Sequence, residues 1–306
     1  MLNLLNKAEK SHKLVVKVEA AALNFSDLLM SEDKYQVRPP RPFTPGQEIA
    51  GVVVSAPEGS KWKKGDRLAS KIPWGGFADQ VEVQPEYAFP VPDNISFTMA
   101  AALPVTYTTS MIAFFDSTVL REDQTVLVHA AAGGVGLAAV EIAKAIGARV
   151  IATAGSEEKL TIAKEHGADV GLNYRDENWF QKVKELTDGE GVDVIYDPVG
   201  GDIALPSIRC LARDGVYLIV GFASGTISEL PANRLMLKRA SAKGVYWNQE
   251  LDAKIIEDVM DRIFTMLEKG QLNPVVDDRF SLSELPDALR ALQNRETIGK
   301  VVLKVE

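Results

Sequence analysis

Along the first hundred positions apolar residues fall in short runs punctuated by glycine and proline. The runs KLVVKVEAAAL (13–23), EIAGVVVSAP (48–57), DRLASKI (66–72) and FADQVEVQ (77–84) are separated by RPPRPFTPG, PEGSKWKKG and PWGG. Strands interrupted at this spacing predict a compact, irregular β-barrel. Near Thr98 the texture changes to FTMAAALPVTYTTSMIAFFDSTVL, a helical stretch broken at Pro104.

From Gln124 to about Trp247, strand-like and helix-like segments alternate. TVLVHA precedes a helix over 134–146, RVIATA one over 157–166, VGLNY one over 176–187 and VDVIYD one over 202–212. GVYLIVGF and AKGVYW supply the last strands of the series. Each crossover is long enough for a right-handed βαβ unit, so the segment predicts a doubly wound parallel sheet. After it, IIEDVMDRIFTMLEKG, VVDDRFSLSELPDALRALQ and GKVVLKV return to helix, turn and strand. SLSEL carries a Ser cap with Glu in the first helical turn.

Composition narrows the partners. With 306 residues the chain can hold two cores, and 46% apolar with 25% charged residues describes a soluble globular protein. A net charge of −8 without any long Lys/Arg block argues against nucleic acid and anionic membranes. Cys210 is the one cysteine, so an internal disulfide is impossible and the cytoplasm is the expected location. No apolar run reaches the roughly 18 residues of a membrane span. The opening MLNLLNKAEKSHK lacks a signal-peptide core and is at most a weak amphipathic targeting segment.

The sharpest chemical signal is TVLVHAAAGGVGLAAVEIAKAIGA. A strand ends at His129, a glycine turn follows, and an amphipathic helix starts at once. The spacing Ala131-x-Gly133-x-x-Gly136 is the dinucleotide fingerprint with Ala for its first Gly. Such a turn brings backbone N–H groups and a helix N-terminus to a pyrophosphate. Ala132, Gly133, Gly134, Val135 and Gly136 are therefore the candidate phosphate-binding residues.

The second strand indicates which dinucleotide. NAD-binding versions hold the ribose 2′-OH with an acid about 20 residues after the turn. Here RVIATAGSEEKL has Ala154 there, followed by Gly155, Ser156 and, one turn on, Lys159. Without a carboxylate to repel a 2′-phosphate, and with Ser156 and Lys159 to bind it, NADPH is the expected cofactor.

One polar stretch resists the bland reading. PFTPGQEIAG (42–51) puts Gln47 and Glu48 into a run heading indoors. By residue type alone the pair could belong to a metal site, an acid–base pair or a bend.

NFSDLL, PFTPGQEIAG, GDR, GGFA, HAAAGGVGLAAVEIAK, YDPVGG and VGFASG together resemble the medium-chain dehydrogenase/reductase superfamily, and within it the zinc-free, ζ-crystallin-like quinone oxidoreductases. The resemblance runs from about Leu14 to Val305. It implies an α/β fold in which a Rossmann sheet is inserted in a GroES-like catalytic β-barrel. The implied division is 1–106 with 250–306 for the barrel and 107–249 for the NADP-binding domain. It further implies a homodimer paired through the AKGVYW strand, whose open apolar edge invites a second copy.

Zinc-dependent members of that superfamily carry Cys in C-x-x-D and His in G-H-E. The matching residues here are Asn24 and Gln47, neither a normal zinc ligand, so no metal is expected. Without a metal to hold an alkoxide, the easier reaction is hydride delivery to a quinone or an α,β-unsaturated carbonyl. That needs donors aimed at the oxygen on which charge accumulates. The resemblance assigns this to Asn24 and Tyr35. It also implies that Tyr174 flanks the adenosine end, that Gly221 and Phe222 lie in the loop over the nicotinamide, and that Arg295 reaches the 2′-phosphate. Ser26 and His129 are expected to be structural, with Asp197 and Pro198 shaping a turn.

Two departures stand out. The family usually opens with an extra hairpin that MLNLLNKAEKSH replaces, and Asp33 stands where a small residue is usual. Two alternatives to a quinone or enone reductase stay open: an enoyl-thioester reductase, and an NADPH-binding sensor or crystallin-like protein without turnover.

Overall fold

The computed structural model describes residues 12–305, so the expected barrel truncation and targeting segment at residues 1–11 lie outside the described residues. β1 (Leu14–Ala22) buries Leu14, Val16 and Val18 and turns Lys17 outward, the period-2 pattern of a half-buried strand. It pairs antiparallel with β2 (Glu48–Ser55), which in turn pairs with β3 (Arg67–Lys71). β4 (Gln80–Val83) lies on β1, and β5 (Ala88–Pro90) lies on β3.

The chain then enters a parallel sheet of β6 (Thr125–Val128), β7 (Arg149–Ala154), β8 (Val170–Asn173), β9 (Val192–Asp197), β10 (Leu211–Ile219) and β11 (Ser241–Gly244). Their order is β11-β10-β9-β6-β7-β8, which reverses direction between β6 and β9. Counted along the chain this is the 3-2-1-4-5-6 order of dinucleotide-binding sheets. Finally β12 (Val276–Ser281) pairs with β13 (Lys300–Lys304), and β13 pairs antiparallel with β1. The first and last strands thus complete one seven-stranded sheet around a core that includes Ile49, Trp62, Leu68, Phe77, Val301 and Leu303.

The fold is α/β, a GroES-like barrel with a Rossmann-type sheet between its two chain segments. One compact unit runs to Val105 and resumes at Val276; the other is Thr106–Val275. The helix Ala253–Glu268 packs on the helix Thr106–Ile112, which groups residues 250–275 with the parallel sheet. The sequence division at 250 had put them with the barrel.

Smaller differences have local causes. The helix expected from 176 begins at Trp179, because the Asn173 side chain accepts the Arg175 N–H and holds a turn. The helix expected over 202–212 is Ala204–Cys210, and β10 starts at once with a register break before Val216. The short helices Phe25–Ser31 and Ala232–Lys238 carry no strong periodicity and went unread. Among the described residues no helix is long and apolar enough to cross a membrane.

Candidate functional site

In the parallel-sheet unit the glycine turn joins β6 to the helix that follows it at close quarters. Gly133 caps the helix Gly134–Ile146, with the Leu137 N–H on the Gly133 carbonyl at 2.8 Å. At Gly136 a Cβ would sit 2.2 Å from the Ala130 carbonyl oxygen, so helix and strand end approach closer than any side chain allows. At Gly133 the nearest atom would be 3.4 Å away, an ordinary contact. The protein's own packing therefore does not demand glycine at 133, whereas close approach of a ligand would. Ala132 is buried, and the Val135 carbonyl accepts the Ser110 hydroxyl at 3.1 Å.

The end of β7 leads into Ser156 and Lys159, two of the three residues expected at the 2′-phosphate. Ser156 caps the helix Glu157–Glu165, its hydroxyl oxygen accepting the Lys159 N–H at 3.4 Å. A capping hydroxyl accepts with a lone pair and keeps its hydrogen to donate. The Tyr174 hydroxyl lies so close over Gly155 that a Cβ there would meet it at 2.6 Å. Tyr174 is held by its N–H on the Ala154 carbonyl at 3.2 Å, so Gly155, Ser156, Lys159 and Tyr174 share one strand end. Arg295 belongs to the barrel unit, just after the helix Leu285–Gln293, with φ +60.

The loop after β10 is tied back to β9. Val220 and Gly221 N–H groups donate to the Asp197 carbonyl at 2.9 and 3.3 Å, and Ala223 N–H donates to the Pro198 carbonyl at 3.0 Å. The Asp197 carboxylate is buried, accepting Val199 and Gly200 N–H groups at 2.8 and 3.0 Å and the Tyr217 hydroxyl. Phe222 stands partly exposed on this framework. His129 is a satisfied core residue between Thr153 and Ser207 hydroxyls, each 2.8 Å away, and burial lowers its pKa to about 4.

In the barrel unit the Gln47-Glu48 stretch resolves into a buried ionic cluster. Lys300 Nζ lies 2.5 Å from both Glu48 Oε2 and Asn24 Oδ1. Asn24 Nδ2 donates to Glu48 Oε2 at 2.8 Å, and Val105 N–H donates to Glu48 Oε1 at 2.5 Å. Gln47 accepts the Ser26 hydroxyl. Asp27 Oδ2 accepts the Asn24 N–H at 2.8 Å and Oδ1 the Gly46 N–H at 3.2 Å, yet burial raises its pKa to about 7. Lys71 faces Glu48 across β2 and β3; burial lowers its pKa and the Glu48 charge opposes that shift. Asn24 is thus oriented at both ends of its amide, with one of its two N–H bonds committed to Glu48. Tyr35 is half-buried in the irregular segment after the helix Phe25–Ser31. Asp33 takes φ +57 and pairs with Arg41 at 2.9 Å, a backbone state that explains why a small residue suits the position.

The sequence reading missed Lys300, which belongs to no recognisable spacing, and gave no role to Asp27, the acid of the Asn24-x-x-Asp27 match. It also missed a four-part knot on Glu141. His166 Nδ1 lies 2.6 Å from Glu141 Oε1, while the Tyr107 hydroxyl and Asn273 N–H donate to Oε2 at 2.7 and 3.1 Å. The Glu141 hydrogen bond raises the His166 pKa above its ordinary value of 6.5, against burial. The charged pair therefore stabilises the fold fully below about pH 6.5 and is lost as pH rises through the raised value. The thermal midpoint should fall between pH 6 and pH 8, and His166→Gln should flatten that slope; an equal slope in the variant would rule the pair out as its cause.

A barrel closed by both chain ends and interrupted by a dinucleotide-type sheet defines a nucleotide-dependent dehydrogenase or reductase. Residues 10–93 match the alcohol dehydrogenase GroES-like domain family, and residues 134–265 match the zinc-binding dehydrogenase family. A quinone oxidoreductase-like protein 2 homolog of Nematostella vectensis is 40% identical over 95% of this chain and 81% of its own length. The quinone oxidoreductase-like protein 2 of Rattus norvegicus is 38% identical over 95% of this chain and 84% of its own. The Escherichia coli quinone oxidoreductase, solved in complex with NADPH, superposes with a TM-score of 0.89 at 30% identity, covering 96% of this chain and 91% of that one. The chain belongs to the medium-chain dehydrogenase/reductase superfamily, in its quinone oxidoreductase branch.

Proposed function

We propose that the chain is an NADPH-dependent, zinc-independent reductase of quinones or α,β-unsaturated carbonyls. The observation that carries the reading is the Lys300–Glu48–Asn24 cluster. Where the zinc enzymes offer Cys and His, this barrel offers two amides. Asn24 has its oxygen on the Lys300 ammonium at 2.5 Å, and Gln47 has its oxygen on the Ser26 hydroxyl. The same ammonium lies 2.5 Å from Glu48. A divalent cation there would face that charge directly. The match to the zinc-binding dehydrogenase family covers 134–265 and includes neither Asn24 nor Gln47.

The residues of the parallel-sheet unit fit NADPH. Gly133, Gly134 and Gly136 with the helix N-terminus would hold the pyrophosphate, joined by Ala132 and Val135 through their backbone. Ser156 and Lys159 would bind the 2′-phosphate beside Tyr174, and Gly221 and Phe222 would cover the nicotinamide. When bound, the cofactor supplies hydride. Asn24 and Tyr35 would donate hydrogen bonds to the acceptor's oxygen, with Lys300 and Glu48 fixing the Asn24 amide.

Stopped-flow mixing of the NADPH-loaded protein with 9,10-phenanthrenequinone, crotonyl-CoA or buffer tests the reading, alongside elemental analysis for zinc. Rapid oxidation by the quinone without stoichiometric zinc is expected. Preference for crotonyl-CoA, no turnover, or one zinc per chain would each overturn it. NADPH should bind at least about tenfold more tightly than NADH, a gap that Lys159→Ala should narrow. Equal dissociation constants for the two cofactors would count against the Ala154–Ser156–Lys159 argument.

The reading includes a cytoplasmic homodimer. The lone buried Cys210 supports the location. All four residues of the edge strand β11 are exposed, beside Met236, Leu237 and Tyr246 at 71%, 73% and 68% exposure. An open strand next to apolar side chains suits pairing with a second copy. Sedimentation at micromolar concentration should give a dimer of the 33.3 kDa chain, and a monomer would exclude this pairing.

A further inference from the structure

Among the described residues, two side-chain nitrogens are buried without a hydrogen-bond partner, Arg67 Nε and Gln249 Nε2. Arg67 has local compensation: its guanidinium stacks 4.2 Å over Phe97, its Nη2 donates to the Ile95 carbonyl, and Nε lies 3.9 Å from the Asp93 carboxylate. Gln249, 7% exposed, carries no charge to balance and leaves an amide donor without an acceptor. Leaving such a group unpaired away from water is costly, and native chains rarely keep one without a use for it.

Its surroundings are fixed. Val245 N–H donates to the Ile219 carbonyl at 2.8 Å, and the Trp247 indole N–H donates to Thr109 Oγ1 at 3.0 Å. Asn248 N–H donates to Asp252 Oδ2 at 2.7 Å, while Asn248 Oδ1 accepts the Glu250 and Leu251 N–H groups at 2.8 and 3.3 Å. The neighbouring amide thus completes a turn, and Gln249 alone is left with an unmet donor on a pinned segment. That segment leaves the carboxyl end of β11, the same end of the sheet as the glycine turn after β6 and the Gly221–Phe222 loop after β10. Open parallel sheets hold their ligands at this end.

We propose that Gln249 donates its orphaned N–H to a carbonyl oxygen of the bound reactants, and so sets how they are held. The inference rests on the reductase reading above. A carbonyl is the chemistry shared by the nicotinamide carboxamide and by a quinone or enone, and binding measurements separate the two sources.

Gln249→Met keeps the length of the side chain and removes the donor. It should leave the thermal midpoint unchanged or raise it, because the orphan is gone. It should also weaken one ligand about tenfold. If the carboxamide is the acceptor, the NADPH dissociation constant rises by fluorescence titration while KM for the quinone holds. If the substrate is the acceptor, KM rises and NADPH affinity holds. Gln249→Ala repeats the comparison should the Met side chain fail to pack. Unchanged affinity for both ligands, or a thermal midpoint that falls in parallel with affinity, would overturn the assignment. Wild-type protein that neither binds NADPH nor reduces the quinone would overturn the reductase reading itself, and this assignment with it.

Discussion

Lys300→Met is expected to destabilise the barrel unit by about 3–5 kcal/mol, the usual range for removing one partner of a buried ion pair. The remaining Glu48 carboxylate is fully buried, and the Asn24 and Val105 donors that stay on it are neutral. Losing the ammonium in direct contact with a buried carboxylate is what makes the loss large, with Lys71, itself disfavoured as a charge by burial, left as the facing cation. Pairing the change with Glu48→Gln should recover much of it, since replacing both ions of a buried pair is often close to neutral. Urea titration of the single and double variants reads this directly. A loss below about 1 kcal/mol for Lys300→Met would mean the pair behaves like a surface salt bridge, and the cluster could not be what holds Asn24.

The second large effect is kinetic. Tyr35→Phe should lower kcat for an enone by about 10²-fold while NADPH affinity stays level. The hydroxyl is proposed to meet the oxygen that gains charge as hydride arrives, and Asn24 is already half committed, with its carbonyl on Lys300 and one N–H on Glu48. Quinones accept electrons more readily and should lose less than enones. Wild-type rates on both substrate classes would remove Tyr35 from the chemistry and leave Asn24 as the sole named donor.

The parallel sheet could be read from the chain because its information is local. Each strand of that unit is a short apolar run, each helix a separate periodic stretch, and the glycine turn a fixed spacing. The barrel's chemistry is not local. Nothing about GKVVLKV marks Lys300 as the partner of Asn24, 276 positions earlier; only the pairing of β13 with β1 brings them together. Glu48 drew notice as an acid in an apolar run, but its meaning needed its partner. Gln249 was invisible for a different reason: its peculiarity is a missing contact, which no pattern of residue types records. Boundaries slipped where side chains settle a turn, as at Asn173, or where a strand begins without a loop, as at Leu211.

Pairing of β13 with β1 also constrains the order in which the molecule can be made. While the chain is being synthesised, Asn24 and Glu48 emerge early, and Lys300 follows Asn24 by 276 residues. At about 5–20 residues per second that interval is on the order of 14–55 s. The nucleotide-binding unit, contiguous from Thr106 to Val275, waits on no later segment, whereas the barrel half waits for the Lys300 ammonium and for the strand that covers the edge of β1. An edge of β1 left open until the last strand arrives is the expected exposed segment of the chain during its translation.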